Sequence, residues 1–168
     1  MRKPLCTLQI SVCLLHYSSA GRDAISIYTH NIKGIKINHQ DERATKYGGI
    51  ASVKIAAGSV MKDIYAVAAI NNVTVVGGAD PNVGIGGWIT GGGHSPISSR
   101  YGLGVDQVLE IEAVIANGTL LKINEDSHPD LFWALRGVSF HLANNTLLLS
   151  VIDTDPRVAD QHLLLSLL

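Results

Sequence analysis

The sequence predicts an α+β fold with a mixed sheet and flanking helices. Three features predict it: stretches of period-two hydrophobicity, one helical stripe of period near four, and a long glycine-rich connection between them. At 168 residues the chain can bury a single core, so one domain is expected. Hydrophobic residues make up 46% and charged residues 16%, the balance of a globular chain with a positive mean hydropathy.

Taken in order, residues 24–28 and 35–38 read as short strands around a polar turn at Asn31 and Gly34. Residues 40–49 are charged and end in glycine, which predicts a loop. Residues 50–57 alternate and are β-branched, a strand signature. Gly58 and Ser59 then predict a strand exit and a helix N-cap. Val60, Ile64, Val67 and Ala68 fall on one face of the helix that follows. Asn71-Asn72 ends it, and residues 73–76 predict a buried strand. Further on, Leu109, Ile111, Ala113 and Ile115 alternate with Glu110, Glu112, Val114 and Ala116. Asn117-Gly118 predicts a type I′ hairpin turn, because both central positions of that turn need positive φ, and residues 119–123 return as the partner strand. Ser127-His128-Pro129-Asp130 predicts a helix start with a hydroxyl cap, and residues 131–135 the short helix. From residue 138 the sequence is a Leu-rich tail without periodicity.

Composition excludes several classes of function. Thirteen basic residues against fourteen acidic ones, with no basic block, give no electrostatic footprint for nucleic acid. Aromatic residues at 5% argue against a base-stacking platform. No apolar run reaches the ~18 residues of a membrane helix. Seven histidines are scattered without an H-x-H or H-x-x-x-H pair, so no metal site is expected. Cys6 and Cys13 are too few for a disulfide framework. Arg2-Lys3 followed by an apolar stretch to Leu15 resembles a secretory leader, which leaves a secreted and a cytoplasmic location both open. Asn-x-Ser/Thr triplets begin at Asn72, Asn117 and Asn144.

The chemistry is concentrated between Gly77 and Gly104. Glycines alternating there with Val, Ile and Trp suggest an ordered cradle whose backbone N–H groups can hold an anion such as phosphate. Gly84-Ile85-Gly86-Gly87-Trp88-Ile89 has G-x-G but no glycine at the sixth position and no amphipathic helix after it, so the Rossmann fingerprint fails. There is no P-loop and no Gly-x-Ser-x-Gly elbow. Trp88 and Trp133 are expected to be packing anchors. Glu110 and Glu112 are expected on a solvated face. His94, inside the cradle, suits a ligand contact and a local hydrogen bond equally.

The blocks Val75-Val76-Gly77-Gly78-Ala79-Asp80-Pro81-Asn82-Val83-Gly84-Ile85-Gly86-Gly87-Trp88, Gly91-Gly92-Gly93-His94-Ser95-Pro96 and Tyr101-Gly102-Leu103-Gly104-Val105-Asp106-Gln107 resemble the second FAD-contacting block of PCMH-type flavoproteins. The variety they resemble is the fungal FAD-linked, berberine-bridge-like oxidases. Similarity continues through Ala116-Asn117-Gly118-Thr119 and Asp130-Leu131-Phe132-Trp133-Ala134-Leu135-Arg136-Gly137. The resemblance implies residues 20–137 as part of an FAD-binding PCMH-type domain, its second subdomain. Residues 1–19 would be a divergent N-terminal segment and 138–168 a divergent C-terminal tail. It implies FAD as cofactor, an oxidoreductase that transfers hydride from a small organic substrate to flavin, and neither a nucleic-acid nor a membrane partner. By motif position, Gly84, Gly87, Thr90 and Gly91 would meet the pyrophosphate and the flavin side. Ser95 and Gly102 would line the same groove. Asp106 and Val114 would lie by the ribitol–adenine half, Val114 through its main chain.

Departures from the pattern matter equally. Where the family's first block has G-H-x-x-x-G-R-S, an alignment on Ser18-Ser19 puts Val12 at the histidine and His16-Tyr17 at the Gly-Arg pair. Asp80 stands where doubly linked relatives have cysteine. Noncovalent FAD is therefore the expectation. The family's substrate domain has no counterpart here, so no catalytic residue is assigned. A noncatalytic remnant of such an oxidase stays open as the alternative.

Overall fold

The computed structural model describes residues 6–9, 25–47, 50–115, 117–137 and 144–153. Strands β1 (Cys6–Gln9) and β2 (Ile25–Tyr28) form a parallel pair. There follow β3 (Ile35–Asn38), β4 (Ala51–Ala56), helix α1 (Met61–Ile70), β5 (Val73–Thr74), the short helices α2 (Ile85–Thr90) and α3 (Ser98–Tyr101), β6 (Val108–Val114), β7 (Leu120–Ile123), α4 (Pro129–Leu135) and β8 (Asn144–Asp153). The main sheet is six-stranded in the order β3-β4-β8-β6-β7, with β5 on β8. Every pair in it is antiparallel, so parallel pairing is confined to β1 and β2.

Period-two alternation gives this sheet two unlike faces. Ile35, Ile37, Val53, Ile55, Ile111, Ala113, Leu121 and Ile123 turn inward, onto Met61, Ile64 and Ala68 of α1, Ile85 and Ile89 of α2, and Phe132 and Leu135 of α4. The opposite face carries Lys36, Lys54, Glu110, Glu112 and Lys122 around a cavity of about 450 Å³. Glu110 and Glu112 are half-buried there rather than freely solvated. Lys54 reaches Glu112 at 2.7 Å, and Arg43 lies 3.5 Å from Glu110.

Several boundaries differ from the sequence expectation for identifiable reasons. Residues 42–47 form a 3₁₀ helix rather than an open loop. Asp41 anchors it by binding Arg43 and accepting the Ser52 hydroxyl at 2.7 Å. Ser59 does not cap α1: the N-cap is Val60, and the Ser59 hydroxyl is buried without a hydrogen-bond partner among the described residues. The helix needs no hydroxyl there, because Met61 N–H donates to Val83 O at 3.0 Å and Lys62 N–H to Pro81 O at 2.9 Å. The orphan donors of the first turn are satisfied by the glycine-rich loop itself. Only Val73–Thr74 of the expected 73–76 strand pairs; Val75 and Val76 are buried beyond the ladder. Ser127 likewise is not the cap of α4. His128 is, at φ 59, and its imidazole meets Ser127 Oγ at 2.9 Å.

The hairpin turn is of another kind than expected. Gly118 has φ 84, but Asn117 is not among the positive-φ residues. Gly118 N–H donates to Ile115 O and Ile115 N–H to Thr119 O. That is a three-residue loop closed by a left-handed glycine, the G1-bulge arrangement, rather than type I′. The tail contributes a strand, at the place where Leu148-Leu149-Ser150-Val151 faintly resemble the family's next strand: β8 pairs with β4 on one side and β6 on the other. Three consecutive leucines, Leu147 to Leu149, leave this strand without the alternation that marks one.

Candidate functional site

The glycine-rich segment is ordered from end to end, and Trp88 organises it. Two residues of glycine and one of tryptophan would not by themselves favour a helix. Ile85 and Ile89, one turn apart, are both 1% exposed, and their burial holds α2 on the core where no helix was expected. The indole then stands in a slot lined by glycines. An added Cβ at Gly78 would lie 3.0 Å from Trp88 Nε1, and at Gly93 3.1 Å from its ring. At Gly104 it would lie 2.5 Å from Trp88 Cη2. Trp88 Nε1 donates to His94 O at 3.0 Å. Thus Trp88 is a packing anchor, and His94 enters through its carbonyl while the residue itself is exposed. Trp133, by contrast, is 74% exposed rather than the buried anchor expected.

Below this, Tyr65 of α1 donates its hydroxyl to Gly78 O at 2.5 Å. Burial pushes that hydroxyl's pKa up to about 12, so it remains a donor throughout the ordinary pH range. An added Cβ at Gly77 would meet the same ring. Tyr65 was not foreseen as part of the site. Its only sequence signal is a place one turn into α1, on a residue whose neighbours Met61 and Ile64 are core.

The eight candidate contact residues fall into two groups. Gly84 caps α2 from the N-terminal side and bridges to Val60, and Gly87 lies in the helix. Thr90 ends it with its hydroxyl turned back to Gly86 O at 3.1 Å. Gly91 follows, exposed, at φ −90. Ser95 donates its N–H to Ser98 Oγ at 3.0 Å and accepts Ile97 N–H on its own hydroxyl at 3.4 Å. Gly102, at φ 79, has no room for a Cβ because Asp106 Oδ2 would be 2.7 Å away. Asp106 spends that oxygen on Leu103 N–H, 2.8 Å off. Gly104 N–H and Val105 N–H bond to Gly93 O and Gly92 O, so the 91–93 and 102–106 segments are laced into one surface. Gln107 joins them by donating to Tyr101 O at 2.7 Å. Val114 stands apart, at the far end of β6, in the ladder between Leu120 and Asn144. Six residues of strand put it roughly 20 Å from Val108.

This surface suits an extended, phosphate-bearing group. One side of the 91–93 turn is pressed on the indole, whereas a Cβ at Gly92 would meet nothing within 4 Å, and Gly91 is exposed. Backbone without side chains is thus presented outward on a rigid support, which permits close approach of a ligand, while Gly91 N–H and Gly92 N–H are donated to Gly87 O at 3.2 Å and Ile89 O at 3.1 Å. Among the described residues no group of three or more His, Cys, Asp or Glu could hold a metal ion, and no helix is long and apolar enough to cross a membrane. The Val12, His16 and Tyr17 positions lie outside the described residues.

Fold and cradle together define a flavin-binding α+β domain. The chain belongs to the FAD-binding domain family, whose model matches residues 15–124. It is 45% identical over 120 residues to an FAD-linked oxidoreductase of Gibberella zeae, covering 71% of this chain and 21% of that protein. A VAO-type flavoprotein oxidase of Thermothelomyces thermophilus is 42% identical over 120 residues, 71% of this chain and 21% of its own length. Among solved structures, a VAO-type flavoprotein from Myceliophthora thermophila superposes with a TM-score of 0.75 at 31% identity, covering 89% of this chain and 28% of that one. Berberine bridge enzyme, at 21% identity and a TM-score of 0.73 over 91% of this chain and 30% of its own, shares the fold. The chain spans about a fifth of the length of the curated relatives it matches.

Proposed function

We propose that this chain holds FAD noncovalently on the Trp88-backed cradle, as the second half of the cofactor groove of an oxidoreductase acting on a small organic substrate. The observation that carries the reading is the outward-facing, side-chain-free backbone at Gly91–Gly92 on a support fixed by Trp88 and Tyr65. Bound flavin would supply hydride acceptance. The chain's own part is to let the pyrophosphate approach the backbone near Gly84, Gly87 and Gly91 closely, the Gly91 N–H itself being donated to Gly87 O at 3.2 Å, with Thr90 and Ser95 shaping the groove. Gly102 and Asp106 keep the neighbouring loop in place. The separation of Val114 from this cluster fits a cofactor laid out at length, its adenine end toward the hairpin. Noncovalent attachment rests on Asp80 at the position of the family's cysteine and on Val12 at that of its histidine.

The test is the visible absorption of the purified chain after incubation with FAD and desalting, run beside Gly91→Asp and Gly91→Ala. Position 91 has φ −90 and ψ 12, which any residue adopts, so neither variant strains the backbone. The expected result is flavin absorbance retained by the parent and the alanine variant. The aspartate variant should bind at least about tenfold more weakly, because a carboxylate beside a pyrophosphate is repulsive by more than 1.4 kcal/mol. Release of the flavin on acid precipitation shows that it is noncovalent. A colourless parent, or equal retention by all three, overturns the assignment.

A further inference from the structure

The tip of the β6–β7 hairpin carries chemistry that the cofactor reading does not use. Asn117, Gly118 and Thr119 form an Asn-Gly-Thr triplet in which all three residues are exposed. A Cβ at Gly118 would meet nothing within 4 Å. Asn117 Oδ1 accepts Thr119 N–H at 2.9 Å, which fixes the side chain by its carbonyl and leaves its Nδ2 as the reactive end. The other two triplets are placed differently. Thr74 of the Asn72 triplet is half-buried in β5 and paired with β8. Asn144 opens β8 and is paired with Val114.

The hairpin also forms one of the two edges of the sheet among the described residues. β7 is the last strand in the order, so one row of its N–H and C=O groups has no neighbouring strand among the described residues. Such an edge is a template for pairing with another chain. Leu120, one residue from the triplet and 64% exposed, stands directly opposite Val114, 37% exposed. An apolar pair on an open edge next to a modifiable turn wants a bulky polar cover.

We propose that Asn117 is an N-glycan acceptor and that the glycan shields the β7 edge. In this transfer Asn117 Nδ2 forms a bond to the anomeric carbon of an oligosaccharide. The bond from that carbon to its lipid pyrophosphate carrier breaks, the pyrophosphate leaves with the electron pair, and an amide proton passes to the transferase. The modification requires a secretory lumen. It does not depend on FAD binding.

The experiment directs the full chain into the lumen of a yeast secretory pathway behind a cleavable leader. Intact mass and a peptide map are read before and after N-glycanase, from the medium or, if the chain is retained, from the lumenal fraction. The parent and Thr119→Ser should carry a glycan on Asn117. Asn117→Asp and Thr119→Ala should lack it. The aspartate keeps an acceptor for Thr119 N–H and so preserves the turn. It should elute from size exclusion as larger species than the glycosylated parent at equal concentration. An unmodified Asn117 in the parent overturns the site, and equal association of parent and Asn117→Asp overturns the shielding.

Discussion

Gly104 lies under the indole of Trp88, and the distance is what makes it a glycine. A Cβ there would be 2.5 Å from two ring atoms of Trp88 and 2.9 Å from Ile89 Cδ1. Neither neighbour can withdraw, since Ile89 is in the core and the indole is tied to His94 O. Gly104→Ala should therefore lower stability by about 1–3 kcal/mol, the usual cost of overpacking, and change the Trp88 emission. Gly137→Ala, where a Cβ meets nothing within 4 Å, should be near neutral. Urea unfolding of the two variants checks this, and equal midpoints would contradict the packing account. At this scale the sequence was partly legible. Glycine density announced close backbone approach, but not that much of it accommodates a side chain of the same segment rather than a ligand. Asp106 adds a structural role that motif position does not show: its carboxylate holds Leu103 N–H. Local hydrogen bonds of that kind leave no periodic trace.

Among the elements, the 3₁₀ helix after Asp41 shows how a charged stretch becomes ordered. The Asp41 side chain is 7% exposed and is held by the Arg43 guanidinium at 2.9 Å and the Ser52 hydroxyl at 2.7 Å. The hydrogen bonds from Arg43 come first among the causes that lower its pKa from 3.8 to about 2. The sign follows from linkage: a carboxylate whose folded pKa is depressed stabilises the fold above its unfolded pKa. That contribution is lost as pH falls through 3.8 toward the folded value of about 2. Asp41→Asn should cost roughly 2 kcal/mol at pH 7. The gap between parent and variant should close as the pH is brought down to the folded pKa. Denaturant midpoints of both proteins across that range give the difference directly, because the other carboxylates are common to both. A gap that is constant with pH would refute the ion-pair origin. Charge and a terminal glycine in residues 40–49 predict a loop. The deciding partner, Ser52, is eleven residues away and on another element.

At the scale of the whole molecule, β8 decides whether the two halves of the sheet are one. Among the described residues the β3–β4 pair and the β6–β7 hairpin are joined in the backbone ladder through it alone, with Lys54 opposite Leu148 on one side and Glu110 opposite Leu148 on the other. Alternation made β4, β6 and β7 legible, and the strand that joins them was the one without alternation. The same strand matters for the cradle. α2 packs on the core between these halves, and the glycine surface rides on α2. Leu148→Pro removes one ladder donor from a strand paired on both edges, which proline is not found to tolerate in the middle of a sheet. The expected loss is about 3 kcal/mol or more, enough to unfold much of the population of a marginally stable domain. Far-UV circular dichroism and amide exchange of the purified variant would show it. If β8 is the keystone, protection should fall together in β4 and β6 and at Trp88, and FAD retention should vanish with it. Protection lost in β6 and β7 alone, with β4 intact, would mean that the halves are stable separately. The cradle would then owe its shape to α1 and the Trp88 slot.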